Sequence, residues 1–396
     1  VKNEPGVSVL WQLTLERYGC NLNDDRGITM RCTIFSLLVL TVSPLVAQDM
    51  NDVKSWRART WPEAEAMFHQ DRRWLGSDGA YSLPLDSARV LWLFGDTFIS
   101  TSEAFRRSES VMIRNSIGIQ EGADPSNARM TFHWKTTEGR PSSFIPEEGE
   151  HWFWFGDGRR VGRVVMIALA RMRAVPEGLG FSYVGPHLLF VPNPDDPPDR
   201  WTFVRRDIAG DSVFATHFPS ALHSDGTHVY AFVTGAAPLM PVRLLRWPVR
   251  AIERLNVQTY QWWDDSTKRW YDLGARPIVP HPIFAGAQAE FTVQRHAHSR
   301  VLTLVQSVGF GATSIGVRWA QQPEGPWTDA QIFHHPIDAG LPGAFLYAAK
   351  SHAHLTGAPV ICTYAANNFE FTRLIADTTW YYPRVLKVIV DSTDAR

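Results

Sequence analysis

The chain reads as an all-β protein, a five-bladed β-propeller, on three observations. Five short runs rich in Val, Ile, Leu and aromatics recur along it, at residues 90–94, 164–169, 228–233, 301–305 and 359–364. Their first residues are separated by 74, 64, 73 and 58 positions, and each interval holds a four-stranded unit with its loops. Each run follows a polar segment and a turn, and several are continuously apolar, as strands buried between stacked blades would be. A propeller sets its blades around an axis, so function is expected where the innermost strands converge.

The elements follow in order. Residues 1–29 carry four acidic and three basic side chains and are read as upstream sequence that is not part of the natural protein. Residues 30–47 have the layout of a signal peptide: Met30-Arg31, a largely apolar stretch at 34–42, then Pro44-Leu45-Val46-Ala47, with cleavage expected after Ala47. The apolar stretch is too short to span a bilayer. Cleavage there removes Cys20 and Cys32 and leaves Cys362, in the strand-like Val360-Ile361-Cys362-Thr363-Tyr364, as a buried structural thiol. Residues 48–72 are expected to be a lead-in, helical or irregular, and residues 73–392 a single propeller domain. Turns are expected at Ser87-Ala88-Arg89, at Gly156-Asp157-Gly158 and at Ser224-Asp225-Gly226.

Composition narrows the function. With 39 Lys and Arg against 40 Asp and Glu, the formal charge is −1. No long basic tract is present, which argues against a nucleic-acid partner held by phosphate neutralisation. A Gly-x-Ser-x-Gly elbow, a phosphate loop and a dinucleotide fingerprint are all missing. The expected partner is a polysaccharide or oligosaccharide, met by a secreted or periplasmic monomer that requires no cofactor.

Five clusters carry the candidate chemistry. Asp78, in Gly76-Ser77-Asp78-Gly79, opens the first blade and is the candidate base. Asp96, in Phe94-Gly95-Asp96-Thr97-Phe98, follows a dense apolar strand and suits a supporting role. Asp157 follows Phe153-Trp154-Phe155; Trp154 could stack on a sugar ring while Asp157 tunes a partner acid. Glu290, in Ala289-Glu290-Phe291, begins an inner strand of blade 4 with apolar neighbours that would raise its pKa, and is the candidate proton donor. In Tyr347-Ala348-Ala349-Lys350-Ser351-His352-Ala353-His354, the two histidines alternate onto one strand face and, with Tyr347, could orient substrate hydroxyls. A metal held by His352 and His354 lacks a compact third ligand, and His296 and His298 repeat the spacing in a more turn-like context. Paired carboxylates suit glycoside cleavage, because one donates a proton while the other activates water or attacks carbon.

Phe94-Gly95-Asp96-Thr97-Phe98, the aromatic segment ending in Gly156-Asp157-Gly158, Glu290-Phe291-Thr292-Val293, Gly325-Pro326-Trp327-Thr328 and the segment from Tyr347 to Leu355 together resemble the secreted bacterial five-bladed propellers of the DUF4185 family over residues 70–390. The resemblance implies a glycoside hydrolase, with arabinofuranose-containing envelope glycans among its substrates. It implies Asp78 as base or nucleophile, Glu290 as acid, Asp157 as third carboxylate and Asp96 in support. Two other readings stay open: a propeller that binds carbohydrate without cleaving it, and a polysaccharide lyase using Tyr81, Tyr347 or His352 as base.

Overall fold

The computed structural model describes residues 55–177, 180–208, 210–275, 279–296, 299–309 and 313–390. The expected upstream segment 1–29 with Cys20, the expected signal peptide 30–47 with Cys32, and His298 lie outside the described residues.

The fold is a five-bladed β-propeller. The inner strands are Trp74–Pro84, His151–Val161, Phe218–Ser224, Phe291–Gln294 and Ala344–Ser351, in blades 1 to 5. Each packs against the next, and the fifth packs back on the first, which closes the ring. The sheets run outward from them in antiparallel order, with four strands in blades 2, 4 and 5 and extra strands in blades 1 and 3.

The five apolar runs are the second strands, one per blade: Arg89–Ser100, Val164–Ala174, His228–Thr234, Leu302–Val308 and Val360–Asn368. They read as continuously apolar because both faces are covered. In blade 1, Val90, Trp92 and Phe94 pack towards blade 5 beside Ile361 and Val385, whereas Leu91 and Leu93 pack towards blade 2 beside Val165, Ile167 and Leu169. In blade 3, Val229, Ala231 and Val233 face blade 2 and Phe232 faces blade 4. Period-two alternation thus sends apolar side chains into two different interfaces. Cys362 is fully buried in the interface between blades 4 and 5, and burial pushes its thiol pKa up.

The lead-in expectation needs correction. Trp56–Thr60 is a strand, paired antiparallel with Pro383–Val390 from Trp56 opposite Val390 to Thr60 opposite Leu386. It is the outermost strand of blade 5, so the propeller starts at Trp56 and not at residue 73. A strand from one end of the chain completing a blade from the other ties the ring shut and covers an edge that would otherwise be open. Only two short helical turns follow, Pro62–Glu65 and Ala66–His69. Trp56 and Trp61 are buried at this seam.

Candidate functional site

The inner strands lose register with their second strands at a common place. In blade 1 the break falls at Asp78, in blade 2 at Gly156-Asp157, in blade 3 at Ser220 and in blade 5 at Ala348-Ala349. In blade 4, Glu290 stands immediately before the inner strand. A bulge re-aims a side chain that the regular pleat would send into a blade interface. Gly156-Asp157-Gly158 is therefore not the expected turn. It is a bulge inside a strand, and the hairpin turns at Gly162 instead. The kink at Asp78 needs particular backbone: Gly79 has φ +83°, and a Cβ on Gly95 would lie 2.2 Å from Asp78 Oδ1. Only a residue without a side chain lets the neighbouring strand come that close.

Asp78 is 5% exposed. Its Oδ2 accepts from the Tyr347 hydroxyl at 2.6 Å, and Tyr347 in turn accepts from Asn367 Nδ2 at 3.0 Å. The buried hydroxyl of Tyr381 also lies beside it. Burial raises the Asp78 pKa well above the ordinary carboxylate range; the charges of Asp96 and Glu290 raise it further, and the tyrosines oppose the rise.

Asp96 is buried against blade 2. Trp154 Nε1 donates to Oδ1 at 2.7 Å, and Arg114 lies 3.6 Å from Oδ2. Burial raises its pKa to about 6 against the pull of Arg114 and Trp154. Asp157 is buried and has both oxygens held: Gly158 N donates to Oδ1 and Leu222 N of blade 3 donates to Oδ2, each at 2.8 Å. Burial raises its pKa to about 6, opposed first by Arg159.

The residue that joins the acids is Lys350, which the sequence reading passed over. Its side chain is fully buried, and its Nζ donates to Glu290 Oε2 at 2.8 Å, to Gly79 O at 2.8 Å and to Ala348 O at 3.0 Å. The ammonium also lies 4.1 Å from the centre of the Tyr81 ring. Burial lowers its pKa, while Glu290, Asp78 and Asp157 all act to raise it. Asp78, Asp157 and Glu290, from blades 1, 2 and 4, thus gather round one ammonium from blade 5. The available signal was a single Lys in the otherwise apolar run Ala344–Ser351, since a lysine is almost never fully buried unless paired.

The remaining expectations fare differently. Tyr347 reaches Asp78. Trp154 offers no open face: its ring is buried against Trp152 and Phe181, and its N–H is used by Asp96. His352 and His354 come after the end of the inner strand and meet at Ser82 Oγ, 2.5 Å from His352 Nδ1 and 3.1 Å from His354 Nε2. His352 Nε2 is also engaged, by Thr363 Oγ1 at 2.8 Å. Burial holds His352 well below its ordinary pKa and His354 at about 3, so both are neutral braces between blades 5 and 1. Among the described residues, no three His, Cys, Asp or Glu side chains are grouped so as to share a metal ion.

The fold has known relatives. One solved structure, a provisionally named hydrolase from Bacteroides ovatus ATCC 8483, superposes with a TM-score of 0.67 at 14% identity, covering 84% of this chain and 90% of that one. The catalytic domain of the Coprinopsis cinerea GH62 α-L-arabinofuranosidase gives 0.46 at 8% identity, covering 87% and 99%. The GH43_1 enzyme from Xanthomonas citri complexed with xylotriose gives 0.44 at 13% identity, covering 90% and 96%. At these identities the likeness is one of fold. No curated protein matches the chain. The DUF4185 resemblance is corrected by the family comparison. Its short motifs fall at bulges and packing positions, such as Gly95 under Asp78 and Trp327 against Phe232, which serve the blade geometry. The model that matches, over residues 63–388, is that of the domain of unknown function DUF5005, and the chain belongs to that family.

Proposed function

We propose that this chain is a glycoside hydrolase that cuts a polysaccharide or oligosaccharide by carboxylate acid–base chemistry at the propeller axis. The observation that carries the reading is the gathering of Asp78, Asp157 and Glu290 around Lys350, at the ring of strand bulges. Glycoside cleavage needs a carboxyl group that gives a proton and a carboxylate that activates water or attacks carbon. Asp78 and Glu290 are assigned those two roles, because backbone N–H groups hold both oxygens of Asp157. Asp157 and Asp96 then tune the field around the pair. The chemistry asks for no cofactor. The arabinofuranose expectation rested on the DUF4185 resemblance, and the sugar is left to experiment.

A second reading, a propeller that binds glycan without cleaving it, is favoured by one observation: the Glu290 carboxylate is engaged by Lys350. The lyase reading has little support. Tyr81 donates to Ser220 O, Tyr347 donates to Asp78, and both phenols are raised well above their ordinary pKa by burial, which makes them poor bases.

The test is product formation by the purified chain on arabinan, arabinoxylan, xylan and bacterial envelope polysaccharides, with Asp78→Asn and Glu290→Gln alongside. New reducing ends, lost in both variants, support hydrolysis; glycan retention without product supports binding; an unsaturated, ultraviolet-absorbing product supports a lyase. Export and a monomeric state belong to the same proposal. N-terminal sequencing of the exported protein and sedimentation of the purified chain test them. No helix among the described residues is long and apolar enough to cross a membrane.

A further inference from the structure

We propose that Lys350 is a positioning residue that reverses the roles expected for the two acids: it holds Glu290 as the ionised carboxylate, and Asp78 carries the proton delivered to the leaving group. This rests on the hydrolase reading of the same site.

The geometry around Lys350 fixes its own charge first. An ammonium has three N–H donors, and here there are three acceptors within 3.0 Å: Gly79 O, Ala348 O and Glu290 Oε2. A neutral amine would have two donors and would turn a lone pair on one of those oxygens. The side chain is fully buried, so water cannot replace a missing partner. Two of the acceptors are uncharged carbonyls, which leaves Glu290 as the bonded counter-ion. Protonating Glu290 would strand a buried ammonium among carbonyls, which is the costly way to break such a pair.

Asp78 has the opposite surroundings. No cation bonds to it. The charged and titratable groups facing it are Asp96 and Glu290, both acidic, the phenols of Tyr347 and Tyr381, and the Lys350 ammonium, whose hydrogen bonds go to Glu290 and two carbonyls and not to Asp78. Tyr347 donates to Oδ2, and Tyr381 lies beside the same carboxyl. Oδ2 is therefore the carbonyl-like oxygen, and Oδ1 is the one able to carry a transferable proton. Of two acids in one electrostatic neighbourhood, one with an ammonium on it and one without, the proton sits on the second.

The reaction balances in this arrangement. As the bond between C1 and the glycosidic oxygen breaks, its electron pair takes the proton from Asp78 Oδ1 and the leaving group departs as an alcohol. Water adds to C1 and gives its proton to Glu290, which releases it to solvent, and solvent returns a proton to Asp78. One water is consumed for each bond cut.

Infrared spectroscopy of the folded chain at pH 7.5, without substrate, reads the assignment directly through the carbonyl stretch of a protonated carboxyl. The expected result is one such band in the parent protein, lost in Asp78→Asn and kept in Glu290→Gln. Lys350→Met is expected to add a second band as Glu290 takes up a proton, whereas Lys350→Arg is not. Asp96→Asn and Asp157→Asn serve as controls for the other buried carboxyls, and far-ultraviolet circular dichroism checks each fold. Loss of the band in Glu290→Gln, or no band in the parent, overturns the assignment. Because the spectrum needs no substrate, inactivity on every glycan would count against the hydrolase reading while the protonation result still stood.

Discussion

Lys350 Nζ lies 2.8 Å from Glu290 Oε2, bridging the inner strands of blades 5 and 4 with the lysine side chain fully buried. The pair binds two blades at the axis, next to Asp78.

Breaking this pair from one side should be expensive. Lys350→Met leaves Glu290 without its cation in a nearly closed site, for an expected loss of about 3–5 kcal/mol. Adding Glu290→Gln removes the acid left without its cation and should restore a large part of that stability. Urea unfolding of the parent, both single variants and the double variant measures the coupling; additive effects would show that the pair is not coupled.

Asp96 gives a pH signature of definite sign. Its folded pKa, about 6, lies above the unfolded value, so the folded state binds the proton more tightly. The stability linked to that proton is fully present below about pH 4 and is lost as pH rises through 6. Asn can keep the acceptor for Trp154 Nε1, and Oδ2 has no hydrogen bond to lose. Asp96→Asn should therefore gain on the parent by up to about 3 kcal/mol between pH 4 and pH 7.5. Denaturation curves at the two pH values check this, and a gap that shrinks with pH would contradict it.

Gly95→Ala probes the close approach beneath Asp78. The new methyl would sit 2.2 Å from Asp78 Oδ1, so the carboxyl must move. The main effect should fall on turnover, with kcat reduced at least tenfold. Tm should change less than in Trp56→Ala. Kinetics on whichever glycan is cleaved, beside a thermal melt, separates the two effects.

Trp56→Ala should weaken the ring seam. Trp56 packs edge-on against Trp319 and Phe333, with ring centres 6.2 Å and 5.3 Å away, in the strand that completes blade 5. The expected cost is about 3–5 kcal/mol. Loosening this strand also exposes the edge of Pro383–Val390, so aggregation on heating should increase. Calorimetry with light scattering reads both.

Neutral buried histidines add an acid limb. His223 and His354 are held at about 3 and His296 at about 4, in each case chiefly by burial. Their folded pKa values are depressed, so the stability they contribute is present above about pH 6.5 and is lost as pH falls towards 3. His354→Gln should move the acid-unfolding midpoint to lower pH, as followed by tryptophan fluorescence.

The blade count was legible because each second strand is covered on both faces, and full burial writes itself into sequence as an apolar run. Asp78, Asp96, Asp157 and Glu290 stood out in the sequence as acids within or beside strand-like runs, and all four are buried in the structure. Gly156-Asp157-Gly158 was misread because a bulge and a turn use the same residues, and only the register against Ala168 separates them. Trp154 was misjudged because aromatic bulk does not say whether a ring is open to a ligand or committed to an acid, here Asp96.

The sequence alone determined an all-β ring of five units, since that is written in local pattern. Tertiary structure decided that Trp56–Thr60 belongs to blade 5, that Lys350 sits among the acids, and which carboxylate is paired and which is not. Those facts depend on contacts between segments tens to hundreds of residues apart. Local propensity cannot encode them, because a side chain's charge and solvation are set by whatever the fold brings beside it.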